Sequence, residues 1–448
     1  MLTIDIGRKD VLWNYAATFL RIGVGVILLP FILRAFPQET VAIWTIFSTI
    51  IALTSLLDFG FNPSFSRNVS YVISGVKELK EKGVQVIDNI DAKIDYGLLK
   101  GLINAMRWFY SRMSLILLLV LTTVGTYYIH TILKTYTGNH TEIYIAWFIL
   151  CTVNTYSLYT YYYDALMQGM GMIKRIKQID IVAYILYLTV AAVLIMLHFN
   201  LIAIVSAQAL QVLIKRILSR QTIYTSQFRY HLNQYQPKAR KEFIKPILPN
   251  AVKLGLTSLG GFLVNRSAVI IGALYLSLEF IASYGITIQI IAIITSISMV
   301  YFSTYQPRIV QLRVQNDKQG IRRLYFRSIT MMFMTFAVLG IGVIFLGDWL
   351  LEVIKSKTPL LPKEMVLLAL IVALLETNHS IAGGILLSKN EVPFFMASIL
   401  GGIGTLILLL SLLSFTNIGV WSLITAQGMA SIVYNNWKWP YEAYKSLK

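Results

Sequence analysis

The segment NYAATFLRIGVGVILLPFIL, residues 14–33, decides the class of fold. It is apolar over a length that can cross a bilayer, whose core of about 30 Å takes roughly 20 helical residues. Arg21 sits near its middle. A permanent charge at that depth needs a physical reason, and the rest of the chain supplies the context for one.

Uncharged apolar runs recur at 22–33, 114–133, 143–163, 280–307 and 328–346. The 448-residue chain is 56% hydrophobic, only 13% charged, and has a mean hydropathy of +0.65. A soluble protein of this size cannot hide so much apolar surface, so the expected fold is an all-α polytopic membrane protein. The single cysteine, Cys151, excludes an intrachain disulfide and a thiolate metal cluster. The opening MLTIDIGRKDVLWNYAAT has no small-residue cleavage site, so the first span is expected to insert and stay.

Hydrophobic patterning predicts twelve helices. They cover about 11–34, 41–66, 109–132, 142–168, 176–197, 200–219, 247–272, 277–305, 324–347, 364–388, 392–414 and 418–437. The N-terminus, the even-to-odd connections and the C-terminus together carry 31 Lys and Arg. The odd-to-even connections carry 5: Arg34, Lys134, Lys355, Lys357 and Lys363. Positive charge stays on the cytoplasmic side, which places both termini there. The net charge of +18 is therefore mainly topological, and nucleic acid is not an expected partner.

Six spans precede a polar, basic connection and six follow it. The expected domains are a six-helix lobe at 1–225, a cytoplasmic linker at 226–246 and a second lobe at 247–448. In the connection 67–108, Val69, Val72, Ile73, Val76 and Leu79 fall at helical spacing, as do Leu98, Leu99, Leu102, Met106 and Phe109. Such helices lie on the inner leaflet or pack on other cytoplasmic segments. A shift of 219 residues lays LIAIVSAQALQVLIKR on VWSLITAQGMASIVYN, with Ala207-Gln208 on Ala426-Gln427. Helices 2 and 8 each end with a proline in a polar-aromatic setting, FGFNPSF (Pro63) and FSTYQPR (Pro307). Parallel six-helix repeats are related by a pseudo-twofold axis along the membrane normal, with the transport path between them.

The six-plus-six pattern, LLDFGFNPSFSRNVSYVISGVKEL leaving helix 2, and NRSAVIIGALYLSLEFIASYGIT across helices 7 and 8 carry a resemblance. Over essentially its whole length the chain resembles the polysaccharide-transporter family, specifically the Wzx-type O-antigen flippases. That family belongs to the superfamily that also holds lipid II flippases and multidrug exporters. The resemblance implies two six-helix bundles forming a V around a cationic central cavity that opens alternately to each side. It implies a bacterial inner membrane, and a polyprenyl-diphosphate-linked oligosaccharide carried from the cytoplasmic to the outer leaflet. Membrane lipids, a polysaccharide polymerase and other assembly proteins, and a coupling H+ or Na+ are the partners it suggests.

Arg21 lies about ten residues past the cytoplasmic start, at a depth of roughly 15 Å. A charge there costs about 2.5–3.5 kcal/mol on insertion scales unless water, a partner or a ligand meets it. Asn14, Thr18 and Arg21 share one face. Arg21 either contacts the diphosphate, for which a planar, always-charged guanidinium is suited, or pairs with Asp164 or Glu376. On helix 7, Lys253 and Arg266 are candidate cargo-binding cations: Lys253 lies near the cytoplasmic end and either faces the cavity or snorkels, while Arg266 lies deeper with Asn265 beside it. The two are about 140° apart at the helical period, so both cannot face a cavity centrally.

Asp164 on helix 4 and Glu376 on helix 10 are each a proton carrier, a sodium ligand or an arginine partner. His379 completes a Glu-x-x-His half-pattern that lacks its other carboxylates, so no metal is expected. Tyr156, Tyr159 and Tyr163 share a face of helix 4 and stack on sugar rings, or else form an interfacial belt and packing. The mid-span amides Asn154, Gln208 and Gln427 suit helix-to-helix hydrogen bonds or cargo. No phosphate-binding Gly-rich loop and no Ser/His/Asp set occurs, so neither a cofactor nor direct ATP use is expected. The outer connections are short, about 347–363 being the largest, which argues against a membrane glycan polymerase or ligase. The alternative to a flippase is an ion-coupled small-molecule or multidrug exporter on the same fold.

Overall fold

The computed structural model describes residues 8–76, 94–237, 241–314, 317–388 and 393–447, and among these it contains helices and no strand. The first half holds α1 (Arg8–Ala35), α2 (Gln38–Thr54), α3 (Phe61–Ile73), α4 (Tyr96–Val120), α5 (Thr126–Leu133), α6 (His140–Tyr159), α7 (Tyr162–Gly169), α8 (Ile173–Met196) and α9 (Asn200–Ile223). A short α10 (Ser226–Gln234) follows. The second half holds α11 (Lys241–Tyr275), α12 (Leu278–Ser298), α13 (Val300–Val314), α14 (Lys318–Val353), α15 (Lys363–Leu387), α16 (Phe395–Phe415), α17 (Trp421–Ile432) and α18 (Asn435–Lys445).

Each of the twelve expected spans has a counterpart, and among the described residues ten helices are long and apolar enough to cross a membrane. The fourth and twelfth spans are each built of two pieces, α6 with α7 and α17 with α18. Large apolar side chains face outward, with Phe415 at 86% and Phe345 at 73% exposure. That surface suits lipid and not water, and a helix satisfies its backbone polar groups internally, as lipid demands. The protein is a multi-pass membrane protein. The repeat register is visible in the helix ends, since Met196 at the end of α8 maps onto Phe415 at the end of α16.

The second span breaks where FGFNP predicts a proline-marked end. Phe59 and Gly60 adopt positive φ, 46° and 69°, which interrupts the helix between a short 3-10 turn and α3. Glycine suits that geometry because it has no Cβ to collide. The Asp58 carboxylate accepts from the Asn62 amide N–H at 3.0 Å and caps α3, and Pro63 falls in the first turn, where its missing N–H costs nothing. In the third span a π-type turn, Leu121–Gly125, separates α4 from α5. Thr126 there accepts the Trp147 indole N–H at 3.0 Å, and the Trp147 ring lies over Gly125.

The amphipathic connection resolves in favour of packing. Leu98, Leu99, Leu102, Met106 and Phe109 are buried on the start of α4, Val69, Val72 and Ile73 are buried on α3, and Val76 is buried just beyond it. Leu79 lies outside the described residues. The expected linker 226–246 is largely helical. Thr225 caps α10 by accepting from the Phe228 N–H at 3.3 Å, Phe228 and Leu232 bury one face of it, and α11 already starts at Lys241.

The chain forms two compact units. The first contains Met1–Leu28, Ile50–Leu133 and Asn139–Gly255; the second contains Leu29–Thr49, Lys134–Gly138 and Leu256–Lys448. The second unit thus takes in residues 29–49, which the division by sequence places in the first lobe. Hydrogen bonds inside that unit give the reason. Gln38 donates to the Glu279 carbonyl at 3.0 Å, Thr40 and Tyr136 share a hydrogen bond of 3.1 Å, and the Lys357 N–H reaches the Leu33 carbonyl at 2.9 Å. Gly285 packs so closely on Thr45 that an added Cβ would collide with its side chain. Gly285→Val is expected to destabilise the protein by about 1–3 kcal/mol through overpacking, read by detergent unfolding. Adding Thr45→Ala should recover part of the loss.

Candidate functional site

In the first unit, Arg21 is carried by α1 and is exposed. It makes no ion pair or hydrogen bond among the described residues, and it lies within electrostatic reach of Tyr184 on α8. Thr18 one turn earlier is half-buried, and the side chain of Asn14 lies outside the described residues.

Asp164 does not pair with Arg21. It opens α7, is 6% exposed, and its Oδ2 lies 2.9 Å from Arg216 Nη1 on α9. Lys215 stands 3.7 Å from the other carboxylate oxygen and 2.8 Å from Asp180 on α8. The Arg216 guanidinium also donates to the Ser157 carbonyl at 3.4 Å and lies 6.0 Å from the Tyr161 ring centroid. Beside this network Tyr110 donates to Asp58 at 2.6 Å, and the Asn62 amide reaches the Tyr161 carbonyl at 3.3 Å. These contacts tie α3, α4, α7, α8 and α9 together by charge and hydrogen bonds, with Asp164 and Arg216 buried at the centre.

Lys215 and Arg216 belong, by their place near the end of a span, with the headgroup-facing cations. Burial and pairing put them inside the unit. The missed signal was the apolar company of VLIKRIL and the acids Asp164 and Asp180 within spans. Asp164 therefore faces two cations within its unit.

The three tyrosines separate. Tyr156 and Tyr159 are exposed at 36% and 42%, so their rings remain presented. Tyr163 is 8% exposed and packs on Tyr162 at 4.4 Å and Tyr224 at 6.3 Å between ring centroids, so it offers no face to a sugar. Asn154 is buried and donates to the Leu150 carbonyl of its own helix at 2.8 Å.

The second unit contains a cleft built by α11, α12, α13, α15, α17 and α18, with residues at the start of α16. Two adjoining cavities of about 350 and 470 Å³ share Asn265, Met299, Glu376 and Ser380 on their walls. Arg266 lines the first of them, is exposed, and makes no ion pair or hydrogen bond among the described residues. Lys253 is exposed on α11 and is not among the lining residues.

Glu376 is half-buried, with one oxygen 3.7 Å from His379 Nδ1. Its other oxygen, Oε1, is buried and has no hydrogen-bond partner among the described residues. His379 also contacts Asn436 at 3.2 Å. Gln427 donates to Asn265 at 3.2 Å, and Asn265 donates to the Gly261 carbonyl at 2.8 Å, so this amide pair bridges α17 and α11 along the cleft. Among the described residues no group of three or more His, Cys, Asp or Glu is placed to hold a metal ion.

No protein-family model matches the chain, and no curated protein does. Solved structures do. An inward-facing multidrug resistance MATE family transporter of the MOP superfamily superposes with a TM-score of 0.64 at 12% identity, over 99% of this chain and 96% of that one. The outward-facing conformation of a transporter so described gives 0.52 at 13%, over 98% and 94%. A MOP superfamily transporter from Pyrococcus furiosus, described as having a binding pocket of reverse polarity that suggests a different function, gives 0.55 at 14%, over 98% and 94%. All three are transporters, and the likeness extends over nearly the whole of each chain. The protein has the fold of the MATE transporters of the MOP superfamily.

Proposed function

We propose that the protein is an alternating-access flippase of the bacterial inner membrane. Its cargo is a polyprenyl-diphosphate-linked oligosaccharide, an O-antigen or capsule repeat unit, carried from the cytoplasmic to the outer leaflet. The observation that carries this reading is Arg21, an exposed guanidinium without an ion-pair partner among the described residues, in the middle of an apolar span. Its desolvation is offset when a diphosphate accepts its hydrogen bonds, and released again when the cargo leaves. Bias between states comes only from cargo or ions that bind them differently. Glu376, with one unpartnered oxygen, is the stronger candidate for H+ or Na+ coupling, because Asp164 is held by Arg216 and Lys215.

The second reading is an ion-coupled small-molecule exporter. It is favoured by the multidrug transporters among the solved neighbours and by the acid in the cleft of the second unit. The Pyrococcus furiosus neighbour, whose reverse-polarity pocket is described as suggesting a different function, supports a reading other than multidrug export on this fold.

The test uses proteoliposomes with the lipid-linked oligosaccharide in the inner leaflet and an impermeant glycosidase outside. The protein is expected to expose the glycan far faster than empty vesicles do. Exposure at the rate of empty vesicles, with an ion gradient imposed, contradicts the flippase reading.

A further inference from the structure

We infer that the cleft of the second unit is a binding site for a neutral glycan, the uncharged polyhydroxyl part of an amphiphilic cargo. This rests on the flippase reading for the source of the glycan, but the site is argued from its own chemistry.

The cleft, at about 350 and 470 Å³ in its two parts, has room for far more than an H+ or Na+ held at Glu376. A calcium-type site would need six to eight oxygen ligands, and Glu376 is the only carboxylate among the described lining residues. A diphosphate placed here would meet that carboxylate. A cationic drug would meet Arg266. Glu376 and Arg266 offset one another on the described walls, with His379 beside Glu376 at 3.7 Å, and this balance suits a ligand that carries no charge and many hydroxyls.

The polar atoms on offer fit such a ligand. The buried Glu376 Oε1 lacks a donor, and leaving a buried acceptor unsatisfied is costly. A sugar O–H donates to it directly. Arg266 and the amides of Asn265 and Gln427 line the same cavity and supply donors for ring and hydroxyl oxygens. Phe394 presents a half-buried ring on the wall of the second cavity, backed edge to face at 5.7 Å by the buried Trp439. An aromatic surface beside a single buried acceptor matches the apolar face and polar rim of a pyranose.

Gly383 offers a way to fill the cleft without breaking it. It lines the second cavity, and an added Cβ would meet only Phe394, at 3.7 Å, an ordinary contact. Leucine also favours the helix more than glycine does. Gly383→Leu is therefore expected to fold and to occupy the site, while Glu376→Ala removes the acceptor.

The experiment presents the purified full chain, in lipid nanodiscs, to an array of neutral and acidic oligosaccharides together with cationic dyes. Unfolding temperature is recorded for every variant. The expected result is retention of at least one neutral glycan, weakened about tenfold or more in both Glu376→Ala and Gly383→Leu, as loss of a charge-assisted hydrogen bond or of the space requires. A blank array, retention only of acidic glycans or dyes, or equal retention by a folded Gly383→Leu overturns the inference. Glycan exposure in proteoliposomes with a blank array overturns this site alone. Glycan retention without exposure overturns the flippase reading and leaves the site standing.

Discussion

Asp164→Asn is expected to cost about 3–5 kcal/mol, because it strands a buried arginine. Arg216 is 4% exposed and its main ionic contact is the 2.9 Å bond to Asp164. Its Nε is already buried without a partner. Asparagine keeps the shape of the side chain but removes the charge. Lys215 retains Asp180 at 2.8 Å, so the damage concentrates on Arg216. The double variant Asp164→Leu with Arg216→Met removes both charges and should regain most of the loss, since a buried pair replaced by apolar groups is often neutral or better. Unfolding by SDS titration in mixed micelles reads both variants. A single variant within about 0.5 kcal/mol of the parent would show that the pair is not buried as described, because surface changes stay in that range.

Arg21→Gln is expected to weaken binding of polyprenyl diphosphate by about 10- to 100-fold, the equivalent of one charge-assisted contact. Its stability should not fall, since no ion pair or hydrogen bond among the described residues is lost. Removing a desolvated charge should even favour insertion. Arg21→Lys should recover part of the affinity, because an ammonium keeps the charge but loses the planar fork. Titration with a radiolabelled polyprenyl diphosphate in nanodiscs separates the three proteins. Equal affinity in all of them would assign Arg21 a role unrelated to cargo.

The spans were legible because lipid imposes a length and forbids charge, and both constraints act on the sequence directly. The end of the second span was legible in FGFNP, since proline and glycine constrain the backbone locally. The Asp58 cap was not singled out, although its acceptor role follows from its place just before that break. Depth along a helix could be counted for Arg21, Lys253 and Arg266. What each side chain faces depends on which helix packs beside it, and that is set by contacts distant in sequence. Asp164 and Arg216 show the difference, for both stand in the sequence but their pairing comes from α7 packing against α9. In the cleft, Glu376 and Arg266 stood out as charges within apolar runs. Trp439 and Phe394 did not, because an aromatic residue near a helix end reads equally as an interfacial anchor.

The most direct test of the central claim compares two cargoes in one preparation. Proteoliposomes containing the protein are loaded with the polyprenyl-diphosphate oligosaccharide and with a cationic fluorescent dye, under an imposed H+ or Na+ gradient. The account predicts rapid glycan exposure to the external glycosidase and dye movement no faster than in empty vesicles. Dye movement with no glycan exposure would contradict it and establish the small-molecule exporter.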